Sequence, residues 1–271
     1  MTPVEAWLFW AGVILYGAAS ACFLAGFIFG RRRLVRYALP LALAGFILNT
    51  AVIAVRWSAT GHPPLMGDYE SSLSRSWVVL ALFLGLQLRF PALRPLGMVV
   101  LPFALLNLGY GSMRSPILQP LSPAYRSPWL FIHIAFALLT YAAYALAAAL
   151  SVLFLLKIRK GTASAFYERF PVPEIMDELS YKLIAFGFIA DSVMMVAGAI
   201  WANSLWGAYW SWDPIQTWAF ISWLTYGIYL HLRVIHRWRM KRAAWLSVAA
   251  IITVIISFWV TNYMGVGLHV F

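Results

Sequence analysis

WGAYWSWDP, residues 206–214, joins two long apolar runs of this chain. Apolar runs of 18 or more residues recur along the rest of the sequence, and this is the length that a bilayer requires of a spanning helix. The sequence therefore predicts an all-α integral membrane protein, a bundle of about eight transmembrane helices. The predicted spans are residues 6–29, 37–57, 72–89, 95–111, 129–156, 183–203, 215–235 and 243–262.

Composition independently indicates a membrane protein. The chain has 271 residues, of which 63% are hydrophobic and 11% charged, and its mean hydropathy is +0.79. A soluble domain cannot cover its surface with so few polar side chains. A β-barrel would require alternating segments of about ten residues, and the sequence has none. It also has no repeat and no long polar linker, so we expect a single polytopic domain over residues 1–271.

The one cysteine, Cys22, lies inside the first apolar run. A single thiol excludes an internal disulfide and a CxxC pair, so the chain has no dithiol chemistry of its own. The stretch ASAC (19–22) resembles a lipoprotein cleavage site, but no basic segment precedes it and the apolar run continues to Gly30. We expect the N-terminus to be a retained transmembrane helix.

Basic residues are divided unequally between alternate connections. The segments after spans one, three, five and seven contain 16 of the 20 Lys and Arg residues, and the opposite set contains only Arg56, Arg75, Arg114 and Arg126. The positive-inside rule places the basic set in the cytoplasm. Both termini and residues 206–214 are then predicted to lie on the outer side. The net charge of +11 is therefore a topology signal, and we expect no nucleic-acid partner.

Tryptophan is concentrated around the aromatic segment. Six of the 14 tryptophans fall between Trp201 and Trp223. A single interfacial Trp needs no special explanation, because its ring favours the membrane boundary. A dense cluster instead forms a rigid apolar surface with N–H groups at its edges, which suits a large planar ligand. Asp213 and Pro214 have the pattern of an N-cap followed by the first helical residue, so the segment is predicted to be short and held at both ends.

Two histidines are predicted to lie on the same side as this segment. His133 lies four residues into span five, about 6 Å below the outer surface, and His269 lies in the external tail. A six-coordinate haem requires two ligands to the iron, which two imidazoles can supply, and an apolar wall around the porphyrin, which a cluster of aromatic rings can form. A bare metal ion would not need the rings.

His231 belongs to a different level of the membrane. It follows Asp213 by 18 residues on one predicted helix, roughly 27 Å across a hydrocarbon core of about 30 Å. If His231 binds haem, it forms a second, inner site whose other ligand must come from elsewhere, because no other histidine of the sequence is predicted deep on the inner side. Asp191 is predicted at a similar depth. It either orients His231 or hydrogen-bonds to a neighbouring helix, and the sequence leaves both open.

The chain resembles the tryptophan-rich haem-handling proteins, and most closely the CcsA (ResC) family of System II cytochrome c biogenesis. WGAYWSWDP, TWAFISWLTYGIYLHLR (217–233) and NYMGVGLH (262–269) carry the resemblance. Further matching blocks are GHPPLMGDYESS (61–72), HIAFALLTYAAYALA (133–147) and MDELSYKLIAFGF (176–188). The family often has Lys-Glu after Asp-Pro, where this chain has Ile215 and Gln216, and we assign that pair no role. His62 lies in a matching block, also without an assigned role.

The resemblance implies a haem site in an external loop at residues 203–214. Haem b would be the transported substrate, bound between His133 and His269, with His231 as a ligand of the inner site. The loop positions implied to contact haem are Trp206, Gly207, Tyr209, Trp210, Trp212 and Asp213.

The resemblance also implies partners and an activity. A CcsB (ResB) membrane protein would complete the inner site and form a cytochrome c synthase of the haem lyase type with this chain. Apocytochrome c would receive the haem at its CxxCH motif, and thioredoxin-like proteins would keep its thiols reduced. The membrane would be the bacterial cytoplasmic membrane or the thylakoid.

Three alternatives remain. A haem chaperone of the CcmC type would deliver haem without synthase activity, but it would have about six spans. A regulatory HemX-like membrane protein would lack the ligand pattern. A solute transporter would show broken helices or several charges within the membrane, and only Asp191 qualifies.

Overall fold

The computed structural model describes residues 1–117, 126–160 and 165–257. Within those ranges all regular secondary structure is helical, which confirms the predicted all-α class. The α-helices are α1 (Pro3–Ile28), α2 (Arg32–Thr60), α3 (Gly67–Arg89), α4 (Gly97–Ser112), α5 (Pro128–Lys160), α6 (Ala165–Glu168), α7 (Pro173–Trp206), α8 (Pro214–Val234) and α9 (Lys241–Ile255), and a 3-10 helix (Pro91–Leu96) precedes α4.

Six segments of the described chain are long and apolar enough to cross a membrane, by length and composition. They are α1, α2, α3, the 3-10 helix with α4, α5 and α7. These helices indicate a multi-pass membrane protein. The total of eight spans and the side on which each terminus lies stay predictions.

The described helices fall into two compact units. The first contains α1 to α4, the 3-10 helix and α6, and the second contains α5, α7, α8 and α9. The expectation of one polytopic membrane domain stays a prediction.

A buried ion-pair cluster ties together three helices of the first unit. The Arg56 Nε on α2 donates to Glu70 Oε1 on α3 at 2.9 Å, and its Nη1 lies 3.5 Å from Glu5 Oε1 on α1. Tyr69 Oη donates to the same Glu5 oxygen at 3.1 Å. Because all three charged side chains are buried, each needs the others to offset its lost hydration.

The second unit is built around the long pair α5 and α7. α9 packs against α5, and α8 packs against both α7 and α9. Gly187 and Gly198 of α7 face Tyr144 and His133 of α5 so closely that a Cβ at either glycine would lie 2.6 Å from the facing ring. Small residues at such positions let membrane helices approach each other.

Candidate functional site: an aromatic loop between α7 and α8

The loop between α7 and α8 begins at Gly207, a position whose backbone conformation favours glycine. α7 runs through Trp206, and Gly207 follows with φ of +75°. Its N–H donates to the Asn203 carbonyl oxygen at 2.9 Å, which closes the helix. A side chain at this left-handed position would be strained. The chain therefore turns sharply out of α7 at a fixed point.

The other end of the loop is fixed by the predicted N-cap. Asp213 Oδ1 accepts a hydrogen bond from the Ile215 N–H at 2.9 Å, and Pro214 is the first residue of α8. Both features confirm the prediction made from the Asp-Pro pair. The Asp213 side chain is buried, so its structural role as a cap accounts for its position within the loop.

Gln216 provides a third attachment that the sequence did not predict. Its Oε1 accepts from the Ser211 backbone N–H at 3.0 Å and from the Ser211 Oγ at 3.1 Å. Gln216 is the third residue of α8, so the middle of the loop is tied back to the helix that follows it. The residue that departs from the family pattern thus positions the loop.

The rings of the loop form edge-to-face contacts. Trp210 meets Trp212 at 5.6 Å between centroids and Phe220 of α8 at 5.9 Å, while Trp201 meets Trp206 at 5.3 Å. Such pairs stabilise a fixed arrangement beyond the area that they bury. The sequence identified the density of rings but not Phe220 as their support.

Three features of the loop are unusual for a segment without a ligand: two exposed aromatic rings, one buried N–H group without an acceptor among the described residues, and one strained backbone position. Trp212 is 69% exposed and Tyr209 is 60% exposed. The Trp210 Nε1–H is buried and has no hydrogen-bond acceptor within the part of the chain that the structure describes. Trp212 also has φ of +56°, which is uncommon for a bulky residue. Exposed rings, an orphaned donor and a strained backbone are features of binding sites.

A second group of rings anchors the start of α8 on α7. Trp223 stacks on Phe188 at 5.2 Å and on Phe220 at 6.1 Å, and its Nε1 donates to Ser192 Oγ at 2.9 Å. Phe220 therefore connects the loop to a packed helix interface, so Trp210 rests on a rigid base.

His133 lies on the wall that α5 and α7 form. Its Nδ1 is 2.9 Å from the Met194 carbonyl oxygen, and its ring packs over Gly198. Because a carbonyl oxygen only accepts, Nδ1 carries a proton, and in the neutral ring Nε2 then carries the lone pair. Gly198 precedes the end of α7 by eight residues, about 12 Å along the helix. The predicted second ligand, His269, lies outside the described residues.

His231 lies near the C-terminus of α8, far along the helix from the loop. Its exposed ring meets the ring of His236 edge-on, with 5.6 Å between centroids. In the sequence, His236 stands beside Arg237 in a basic connection, which predicts only an ordinary hydrogen-bonding histidine. The pairing arises because α8 ends at Val234 and the chain turns back at Arg237, which has φ of +53°.

That turn is held by a buried ion pair that sequence reasoning missed. Arg233 of α8 bonds to Asp177 of α7, with an Nη1 to Oδ2 distance of 2.8 Å. The Met240 N–H donates to Asp177 Oδ1 at 2.9 Å. Asp177 lies in the matching block 176–188, so this part of the resemblance has a structural function in fixing α7, α8 and the start of α9.

Asp191 hydrogen-bonds to a neighbouring helix. Tyr144 Oη of α5 donates to Asp191 Oδ2 at 3.1 Å, and the Tyr144 ring stacks on Tyr226 of α8. The carboxyl group is buried, whereas His231 is exposed. The contacts agree with the second of the two roles left open for Asp191. His62 is also buried, with its Nδ1 2.9 Å from the Pro63 carbonyl oxygen.

Comparison with known proteins identifies the family. The cytochrome C assembly protein family matches residues 66–269. Cytochrome c biogenesis protein CcsA of Guillardia theta is 34% identical over 246 residues, covering 82% of this chain and 81% of the relative. The chain belongs to the CcsA family of cytochrome c assembly proteins. CcsA of Chlamydomonas reinhardtii is 35% identical over 242 residues, covering 86% of this chain and 68% of the relative.

A solved structure shares the fold. The cytochrome c haem lyase CcmF aligns with a TM-score of 0.71 at 18% identity, over 95% of this chain. The chain spans about half the length of that protein, since the alignment covers 47% of it. The match confirms a helical arrangement known from a solved protein, and the family match confirms the resemblance drawn from the aromatic motif.

Proposed function

We propose that this protein is the haem-handling and export subunit of a cytochrome c synthase. In this proposal it presents haem b at the aromatic loop for attachment to the CxxCH motif of apocytochrome c. The loop would lie on the outer side of a bacterial cytoplasmic membrane or thylakoid. Family membership supports the general role, and the aromatic loop, fixed by Gly207, Asp213 and Gln216, is the observation that carries the specific one.

The loop suits a planar apolar ligand because its rings are already in place. Exposed apolar area costs about 25 cal/mol per Å2 in contact with water, so covering Trp212 and Tyr209 favours binding. The fixed ends and the Ser211–Gln216 bonds reduce the ordering that a ligand would otherwise impose on the loop. The orphaned Trp210 N–H offers a donor to an acidic substituent, and haem has two propionates. The described residues therefore fit the group.

His133 is suited to be one axial ligand of the outer site. Histidines that bind metals usually donate their other ring N–H to a carbonyl or carboxylate, which fixes the ring and raises its basicity. The bond from Nδ1 to the Met194 carbonyl is of this kind. We propose His269 as the opposite ligand, in agreement with the sequence analysis.

His231 is proposed as a ligand of a second, inner haem site, shared with a CcsB (ResB) partner. Its exposed ring is accessible to a partner protein, and α8 places it about 27 Å from Asp213. His236 lies against this ring and, in the proposal, helps to orient it rather than replacing the partner's ligand.

The attachment reaction defines what other proteins must supply. Each thioether forms when a cysteine S–H adds across a haem vinyl double bond, so no atom is lost from either reactant. The apocytochrome thiols must therefore be reduced. Since Cys22 is the only cysteine of this chain, the reductant must be another protein, and we propose thioredoxin-like partners.

Absorption spectra of the purified protein, alone and with a CcsB partner, test the proposal. We expect a six-coordinate haem spectrum that is lost in His133→Ala and in His269→Ala. We expect His231→Ala to remove only a second haem, which depends on the partner. His236→Ala is the control for the outer site: it should leave the outer haem unchanged and weaken only the second haem, because His236 contacts His231. A wild-type spectrum in both His133→Ala and His269→Ala would refute the outer site.

Transfer to a CxxCH peptide separates a synthase from a chaperone. The complex with its partner should form covalent haem-peptide, detected as haem that resists acid-acetone extraction. Haem binding without any covalent product would favour a chaperone of the CcmC type, and absence of haem from every preparation would favour a HemX-like regulator.

A further inference from the structure

A basic pocket lies in the first compact unit, where α1 turns into α2. Its volume is about 510 Å3. Three separate chain segments contribute arginines to its wall. These are Arg32 and Arg36 of α2, Arg94 of the 3-10 helix, and Arg169, which follows α6.

No acidic side chain lines this pocket among the described residues. None of the four arginines forms an ion pair within the described ranges. Four like charges around one cavity repel each other, and an opposite charge within a few ångströms offsets that repulsion. The wall is therefore complementary to an anion.

The start of α2 strengthens this preference. A helix N-terminus carries partial positive charge, so it favours anions and disfavours cations. α2 nevertheless begins with Arg32, has no acidic residue in its first turn and has no side-chain cap. The positive end of the helix and the arginines therefore act in the same direction.

Arg169 is held in place by the end of α1. Its Nη1 donates to the Phe27 carbonyl oxygen, which is one of the carbonyls that a helix C-terminus leaves without a helical partner. Its guanidinium lies directly over Gly30, where a Cβ would be 2.5 Å from Nη2. Gly30 has φ of +69°, so glycine is favoured there for two reasons. The pocket is built around this contact.

The remaining lining is apolar. Phe27 of α1 and Val35 and Leu39 of α2 form part of the wall. A ligand that matches the whole pocket has an anionic head and an apolar body. All four arginines also belong to segments that the charge distribution places on the cytoplasmic side.

The requirements of topology do not explain the pocket. Basic residues anywhere in the connections satisfy the positive-inside rule, and Arg31 and Arg33 do so without lining the cavity. The positive-inside rule does not explain why arginines from three separate segments line the same cavity beside apolar side chains.

We propose that this pocket binds the phosphate headgroup of an anionic phospholipid of the cytoplasmic leaflet. Basic pockets at helix ends on that side are suited to such headgroups. The guanidinium groups match phosphate oxygens, and the apolar wall accommodates the glycerol and the first acyl carbons. This site is distinct from the haem sites and does not depend on the proposed haem function.

Native mass spectrometry of the purified full chain, titrated with phosphatidylglycerol or phosphatidylcholine, tests this proposal. We expect preferential retention of phosphatidylglycerol. Arg36→Gln and Arg94→Gln should each weaken it about five-fold, and the double variant about 25-fold. Arg33→Gln, a neighbouring arginine outside the pocket, is the matched control and should retain wild-type binding. The variant Arg36→Lys/Arg94→Lys, which keeps both charges, should retain most of the preference.

Several results would overturn the proposal. These are equal retention of the two lipids, unchanged binding in the double Gln variant, or an equal loss in Arg33→Gln. Inorganic phosphate that binds as well as phosphatidylglycerol would assign the pocket to free phosphate instead. Haem that binds here in an arginine-dependent manner, when phosphatidylglycerol does not, would assign it to a carboxylate ligand. A double Gln variant that is aggregated by size-exclusion chromatography is replaced by the two single variants, whose expected losses are stated above.

Discussion

Gln216 is the residue whose removal affects the aromatic loop without touching any ring or histidine. Gln216→Ala deletes both hydrogen bonds to Ser211. These bonds are exposed, so together they contribute about 1 kcal/mol to the ordered loop. We therefore expect haem affinity at the outer site to fall about five-fold, measured by titrating haem into the apoprotein and following the absorption spectrum.

Ser211→Ala provides the graded comparison for this prediction. It removes the hydroxyl bond but retains the bond from the Ser211 backbone N–H to Gln216 Oε1, so its effect should be about half as large in free energy. Equal haem affinity in wild type and Gln216→Ala would show that the loop is ordered by its two ends alone. The sequence predicts no role for Gln216. A hydrogen bond from a loop residue to a side chain five residues later in the next helix has no sequence signature, so only the structure shows it.

At the level of helices, the sequence predicted where helices occur better than where each helix begins and ends. Span six was predicted as residues 183–203, but α7 runs from Pro173 to Trp206. Hydropathy excludes the polar first turns, which are helical because Asp177 is bonded to Arg233 of α8. Span three likewise begins earlier, at Gly67, where Glu70 pairs with Arg56. Charged residues extend these helices because partners distant in sequence neutralise them, and no local pattern shows that.

The contact between α5 and α7 sets the position of His133. In Gly198→Ala, the new Cβ would lie 2.6 Å from His133 Nδ1, so the ring must shift and lose its bond to the Met194 carbonyl. We expect a folded protein whose outer haem affinity falls at least ten-fold, since metal-binding histidines that lose this second hydrogen bond typically lose 10–100-fold in affinity. The absorption spectrum of the purified variant measures this loss.

Gly227→Ala is the matched control for Gly198→Ala, because both glycines lie within helices of the same unit. A Cβ at Gly227 would be 3.4 Å from Phe188, an ordinary contact. It should leave haem binding unchanged. Comparable haem loss in both variants would mean that general loosening of the helices, rather than movement of His133, is responsible.

For the molecule as a whole, the charge distribution predicts which groups share a side of the membrane. The aromatic loop and the C-terminal tail must both be external if His133 and His269 are to bind one haem. Single cysteines at Trp212 and His269, introduced into a Cys22→Ser background, should therefore react with a membrane-impermeant maleimide in intact cells. A cysteine at Arg33 or Arg237 should react only after permeabilisation, because both residues belong to the basic connections.

Trp212 is suited to this test because the rest of the protein leaves its side chain exposed. Labelling of Trp212→Cys and His269→Cys from opposite sides would separate the two parts of the outer site by a whole bilayer, which no bis-histidine haem can span.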